Sequence, residues 1–337
     1  MPNRKTSIAG ALQERLATDN RRVLSDWRAV LLLRRASREI PLGDRRWKTP
    51  PRNVLEIRPI LNRLSKTGEL VPLASFPFLY RVNAPYARTE AVEEEEVLME
   101  LHPYAALSHL SALTFHHMTE QLSKDIHVSI PDNGSGGFLP LGTRSEDWEG
   151  VALVRGRVAD SIFGRRIHWH RLVSKRIFGT SAFDYHGYPV RVTTPERTLL
   201  DGLLHPDWSG GFANVLRAWA GYRDLIDLKA LVKYVDQLDV RILRQRAGFL
   251  MEELGLQHPA LAIWVTQAQR GGSSKLNGAA EFSSQFSTRW QLSINAPIDL
   301  LRGARGCRLA HPQPGTGIQG RQRPGFCLAA EPQHKGP

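Results

Sequence analysis

The amino-acid sequence predicts an α+β chain: a basic head of helices and one β-hairpin, then a larger body whose second half is helical. Three observations carry that prediction. Positive charge gathers at the two ends: residues 1–90 hold 18 Lys and Arg against 8 Asp and Glu, residues 91–301 hold 21 against 24, and residues 302–337 hold 6 against 1. After Asn53 a helical apolar pattern stops at Gly68 and gives way to two short β-rich runs. From Pro195 to about residue 255 the apolar residues recur at helical spacing.

The bulk properties set limits. With 337 residues the chain is long enough for two domains, and its 42% hydrophobic and 23% charged content is ordinary for a globular protein. No apolar run approaches the roughly 20 residues that cross a bilayer. The basic N-terminus lacks the continuous apolar segment of a secretory signal. Two cysteines, Cys307 and Cys327, cannot make a disulfide framework, so a cytoplasmic location is expected.

In the head, IAGALQERLA (8–17) and RRVLSDWRAVLLLRRA (21–36) read as helices. Three prolines and a glycine in 39–53 exclude a long helix there. Asn53 then fits the N-cap of VLEIRPILNRLSKTGEL, which places Leu55, Ile60, Leu61 and Leu64 near one face. Pro59 either kinks this helix or marks its real start, and Gly68 ends it. Residues 69–73 and 78–82 read as the two strands of a hairpin. Helix, glycine stop and hairpin is the order of a winged helix-turn-helix, in which the helix enters the major groove and the hairpin lies along the backbone. Arg58, Arg63 and Lys66 are then the cations of the recognition helix, Arg52 and Asn53 precede it, and Arg81 sits on the wing. Operator DNA is the partner this head predicts.

AVEEEEVLME (91–100) marks the change of composition and reads as a solvated helix face or a linker. In the body, HPYAALSHLSALTFHHMTEQ (102–121) reads as a helix, DIHVSIP (125–131) as a strand and DNGSGG (132–137) as a turn. RIHWHRLV (166–173) and GYPVRVT (187–193) read as strands. The helical half follows in PERTLLDGLL, GGFANVLRAWAGY, LIDLKALVKYVDQL and VRILRQRAGFLMEELGL, and EFSSQFSTRWQLSINAP (281–297) adds one or two strands. The Gly-, Pro-, Arg- and Gln-rich stretch 302–337 reads as a disordered tail.

Candidate chemistry has a structural reading at each position. His168 and His170 share one strand face, but arginines surround them and no carboxylate is near in sequence, so an exposed face is expected. His109 and His116, seven apart, fall on one helix face without the HExxH pattern of a zinc protease, and read as packing or partner contacts. There is no phosphate-binding glycine loop and no GxSxG elbow. Within VTTPERTLLDGLLHPDWSGG (192–211), Thr194 and Pro195 open a helix, with Thr193 the alternative cap. Glu196 sits in the first turn, and Arg197 and Asp201 pair four residues apart. No catalytic residue, metal or cofactor is expected.

Taken in order, the segments 105–121, 126–131, 192–219, 228–238, 246–255 and 287–297 resemble the AbiEi family, the antitoxin and transcriptional regulator of type IV, abortive-infection toxin–antitoxin systems. The resemblance is collinear over roughly residues 50–300. It implies a winged-helix domain over 1–90 that binds operator repeats in its own promoter, and an antitoxin domain over 91–301. That second domain would counter a nucleotidyltransferase-like toxin without catalysis of its own. The first 50 residues are longer and richer in arginine than the family's minimal head, and the tail has no counterpart in it. Two other readings stand beside this one: a DNA-binding regulator with no toxin partner, and a nucleic-acid enzyme using Glu196, Arg197 and Asp201.

Overall fold

Six elements of the head pack around Leu12, Leu16, Leu24, Leu33, Ile57, Leu61, Leu70 and Val82. The computed structural model describes residues 5–19, 21–83, 85, 91–271 and 274–303, all within one compact unit. Helix α1 (Ile8–Asp19) is followed by strand β1 (Val23–Ser25) and helix α2 (Asp26–Glu39). The helix predicted over 21–36 therefore begins five residues late. Ser25 caps α2 by accepting from the Arg28 backbone N–H, and Val23, Leu24 and Ser25 pair antiparallel with a strand further on. Helix α3 (Val54–Lys66) has Asn53 as its cap. It runs unbroken through Pro59, on the exposed side where water can serve the carbonyl that proline leaves without a donor. Its buried stripe is Ile57, Leu61 and Leu64; Leu55, expected inside, is 69% exposed. Gly68 at φ +75° turns the chain out of α3. Strands β2 (Leu70–Leu73) and β3 (Phe76–Val82) form the predicted hairpin, and β1 completes a sheet in the order β1-β3-β2.

Helix α4 (Glu94–Leu101) overturns the expectation of a solvated acidic run. Glu96 and Glu100 are fully buried, one turn apart on the face turned to the head. The helix predicted over 102–121 is also broken. Strand β4 (Ala106–Leu107) pairs on both sides, and only helix α5 (His109–Phe115) is helical. His109 begins α5 in a left-handed conformation and His116 ends it, so the two do not share a helix face. Strand β5 (Ile126–Pro131) follows as predicted, with the turn at 132–137 after it. Strands β6 (Ser161–Ile162), β7 (Arg165–Leu172), β8 (Thr180–Tyr185) and β9 (Tyr188–Thr193) complete a six-stranded sheet in the order β6-β7-β5-β4-β9-β8. β4 with β9 and β5 with β7 are parallel; the other pairs are antiparallel. The unpredicted β8 joins β9 through His186 and Gly187, both at positive φ, the geometry of a two-residue hairpin turn. One face of the sheet packs a core of Val128, Ile130, Ile167, Val190 and Val192.

The four predicted helices of the second half are present as α6 (Pro195–Leu204), α7 (Phe212–Tyr222), α8 (Leu228–Leu238) and α9 (Arg241–Glu253), and an unpredicted fifth, α10 (Ala260–Thr266), follows them. Trp219, Trp264 and Trp290 anchor its core. Gly248 on α9 is obligatory, because a Cβ there would sit 2.1 Å from the Trp290 ring. Two short strands, β10 (Phe286–Ser287) and β11 (Leu292–Ser293), pair antiparallel. The one-turn helix α11 (Leu300–Gly303) includes the first two residues of the predicted tail; from residue 304 on, with Cys307 and Cys327, that prediction lies outside the described residues. Among the described residues no helix is long and apolar enough to cross a membrane.

Candidate nucleic-acid interface

The head's arginines divide into two sets. Arg22, just before β1, and those of α2 point inward and are bound. Arg22 Nε donates to Glu96 at 2.6 Å, and Arg28 Nε donates to Glu100 at 2.9 Å while its Nη1 reaches the Leu141 carbonyl. Arg34 donates to the carbonyls of Pro51, Asp147 and Glu149, and Arg35 and Arg38 both pair with Asp147. Glu100 also accepts from the hydroxyls of Ser25 and Tyr188. Burial alone would raise the Glu100 carboxyl, but Arg28 and Arg21 hold it below its ordinary range. Glu96 behaves oppositely: burial outweighs Arg22 and leaves its carboxyl raised.

The second set faces outward. Arg58, Arg63 and Lys66 on α3 and Arg81 on β3 are exposed, and among the described residues none forms an ion pair with a carboxylate. At about 100° per residue the three helix cations fall on the arc away from the Ile57–Leu61–Leu64 stripe. Leu55 and Asn62 lie on the same arc, and Asn62 is exposed. Asn62 escapes the sequence reading, although the same 3.6-residue count that assigns Arg58 and Lys66 to the outer face assigns it too. Arg52 is exposed beside the helix start. Asn53 is engaged locally. Its Oδ1 accepts from the Glu56 N–H at 3.2 Å, and its Nδ2 donates to the Glu56 carboxylate at 2.9 Å.

Within 192–211, Glu196, Arg197 and Asp201 are buried in structural bonds, while His205 and Asp207 are exposed. Thr194 caps α6 by accepting from the Arg197 N–H, while Thr193, the alternative cap, bonds Thr198 and Leu107 instead. Arg197 Nε donates to Asp201 at 2.9 Å, and its Nη1 donates to the carbonyls of Arg176 and Phe178. The Glu196 carboxylate accepts from the Asp227 N–H at the start of α8. The joint between sheet and helical half is tied from both sides.

His168 and His170 do not form the exposed strand face expected of them. With His127, Trp208 and His205 they make a column of rings in two stacks joined edge to edge: His168 lies on His127 at 4.8 Å, His127 Nδ1 and His170 Nε2 share a hydrogen bond at 3.1 Å with the two rings nearly coplanar, and His170 lies on Trp208 at 4.2 Å and Trp208 on His205 at 4.1 Å. A carboxylate is in fact present, since His168 Nε2 donates to Asp125 at 2.7 Å. Burial brings His127 and His170 down to about 4, so both rings are neutral at pH 7. Among the described residues no group of three His, Cys, Asp or Glu side chains is arranged to hold a metal ion.

No protein-family model matches the chain, and no curated protein matches it. The fold is similar to that of the crystal structure of the RV2827C protein from Mycobacterium tuberculosis, with a TM-score of 0.51 at 14% identity over 89% of this chain and 96% of that one. At that identity the likeness concerns the α+β fold alone.

Proposed function

We propose that the protein is a DNA-binding autorepressor and antitoxin of the AbiEi type: α2, α3 and the β2–β3 hairpin act as a winged helix-turn-helix on operator DNA, and the body counters a nucleotidyltransferase-like toxin. One observation carries the DNA half. The outer arc of α3 keeps Arg58, Arg63 and Lys66 exposed and without carboxylate partners, whereas the arginines of α2 are bound within the protein. An α-helix fits the major groove, about 12 Å wide, so these cations would meet phosphates at its rim. Asn62 and Leu55 would face base edges, the amide toward adenine and the alkyl group toward a thymine methyl. Arg81 would meet the backbone from the wing. The antitoxin half rests on the resemblance of 192–219 and the other collinear segments, and on an acid–base pattern in α6 that is structural throughout. No catalytic step is assigned to the protein.

Binding to promoter DNA carrying inverted repeats, measured by anisotropy across a salt series, tests the DNA half. The triple change Arg58→Ala, Arg63→Ala, Lys66→Ala is expected to weaken binding at every sequence and to lower the salt slope by about 3. An unchanged slope would remove α3 from the interface. The antitoxin half is tested by co-expressing the full chain with the toxin encoded beside it. Growth should be restored by the wild type and by the triple variant alike, and continued toxicity with wild type would end the proposal.

A further inference from the structure

The histidine–tryptophan column is not explained by operator binding through α3, and its local costs are unusual. His109 lies beneath it, edge-on to His170 at 4.5 Å and to Trp208 at 5.1 Å. It is 3% exposed, its Nδ1 has no hydrogen-bond partner, and its φ is +51°. A buried unmatched nitrogen and a left-handed backbone at a residue other than glycine are both unfavourable, and such costs collect at ligand sites rather than in ordinary packing.

The surroundings of the column name the ligand. Its two end rings reach solvent: His205 is exposed, and the His168 side chain is 38% exposed. Trp208, between His170 and His205, is also 38% exposed. Arg166 precedes His168 by two residues on β7 and so shares its sheet face, near enough to influence the Asp125 carboxyl. Arg176 bears in the same way on His205 at the other end. Both arginines are exposed, and among the described residues neither pairs with a carboxylate. Asp125 is engaged by His168, and Asp201 by Arg197. Flat rings open at both ends, with a guanidinium not paired to a carboxylate beside each end, suit a strand whose bases are free to stack and whose phosphates pass alongside. A duplex, its bases already stacked, offers the column nothing.

We propose that this face of β7 and the 206–209 turn is a second nucleic-acid site, which binds single-stranded RNA or DNA by stacking bases on the ends of the column and pairing phosphates with Arg166 and Arg176. It is separate from α3 and does not depend on the operator reading. The test uses the full chain and fluorescein-labelled 15-nucleotide mixed-sequence RNA and DNA single strands, with and without saturating unlabelled operator duplex. Binding of the single strands is expected to persist under the duplex, and the stronger of the two arms identifies RNA or DNA. R166E/R176E, both surface changes, should weaken single-strand binding tenfold or more and leave duplex affinity unchanged. His168→Ala should weaken it by about tenfold through lost stacking, while Arg58→Ala/Arg63→Ala should leave it unchanged. The proposal fails if neither strand binds, if duplex displaces the strand, or if only the α3 variant abolishes binding. It also fails if R166E/R176E releases the protein toxin while single-strand binding stays intact, which would make this face a protein contact.

Discussion

Helices α2 and α3 belong to one head and carry similar densities of cationic side chains, yet they use them in opposite ways. On α2, Arg28, Arg34, Arg35 and Arg38 meet carboxylates and carbonyls 72 to 115 residues further along the chain, and Arg34 also the nearer Pro51 carbonyl. On α3, Arg58, Arg63 and Lys66 meet solvent. The difference shows that a basic segment announces a partner for nucleic acid only after its internal acids are found. Here the partners are Glu96, Glu100 and Asp147, which hold the first set and leave the second free to act. The same bonds join the head to the sheet: Glu100 takes Arg28 and Ser25 from one side and Tyr188 from the other.

The comparison can be broken most forcefully at Glu100. Glu100→Ala would leave the Arg28 guanidinium buried without its counter-charge, and a loss of about 3–5 kcal/mol is expected in urea unfolding. A loss under 1 kcal/mol would mean that α2 is not held by charge. Acid provides a graded version. Burial depresses His127 and His170 to about 4 from an ordinary 6.5, so the unfolded chain binds more protons between those values. Stability in the column should therefore be full above pH 6.5 and decline as pH falls toward 4. Asp147 titrates lower: burial would raise it, but bonds from Arg35, the Arg144 N–H and Arg38 bring it to about 2 from 3.8. Its contribution is present above pH 4 and lost as pH falls through 2, so near-ultraviolet dichroism should show two acid steps. Asp147→Asn should abolish the lower step only.

Smaller effects separate the two helices further. Asn53→Ala removes the cap of α3 and should lower stability by about 1 kcal/mol, with DNA binding reduced in proportion to any fraying of that end. Were Asn53 also a direct contact, duplex affinity would fall well beyond what thermal unfolding accounts for. Arg63→Ala/Lys66→Ala stands last, with a stability change within about 0.5 kcal/mol in the same urea assay. A larger change would show that the outward set has internal partners after all.

What is legible in the sequence is local. Helix α6 can be read to the residue because Thr194 and Pro195 start it within the segment itself, and the hairpin is visible because Gly68 and the alternation around it are contiguous. The departures share one cause. The run 102–121 has helical composition, but Ala106 and Leu107 pair with strands on both sides, one of them β9, and that pairing outweighs propensity. Glu96 and Glu100 read as solvated because Arg22 and Arg28 lie more than 70 residues earlier. The column draws its rings from β5, β7 and the 206–209 turn region, so no single window displays it. Of the DNA-contact candidates, Asn62, Arg63 and Lys66 follow from periodicity on either reading of Pro59, whereas Arg58 joins their arc only because the helix runs through that proline.

The buried position of Glu100 has a practical consequence for anyone wishing to exchange the proposed DNA-binding head for another. A chimaera cut between residues 83 and 91 would part Arg28 from Glu100 and Arg22 from Glu96, exchanging one solved electrostatic problem for two unsolved ones. The exchangeable cassette is smaller than the head: α3 and the hairpin tip can be rewritten in place, while β1, α2 and α4 must travel together or not at all.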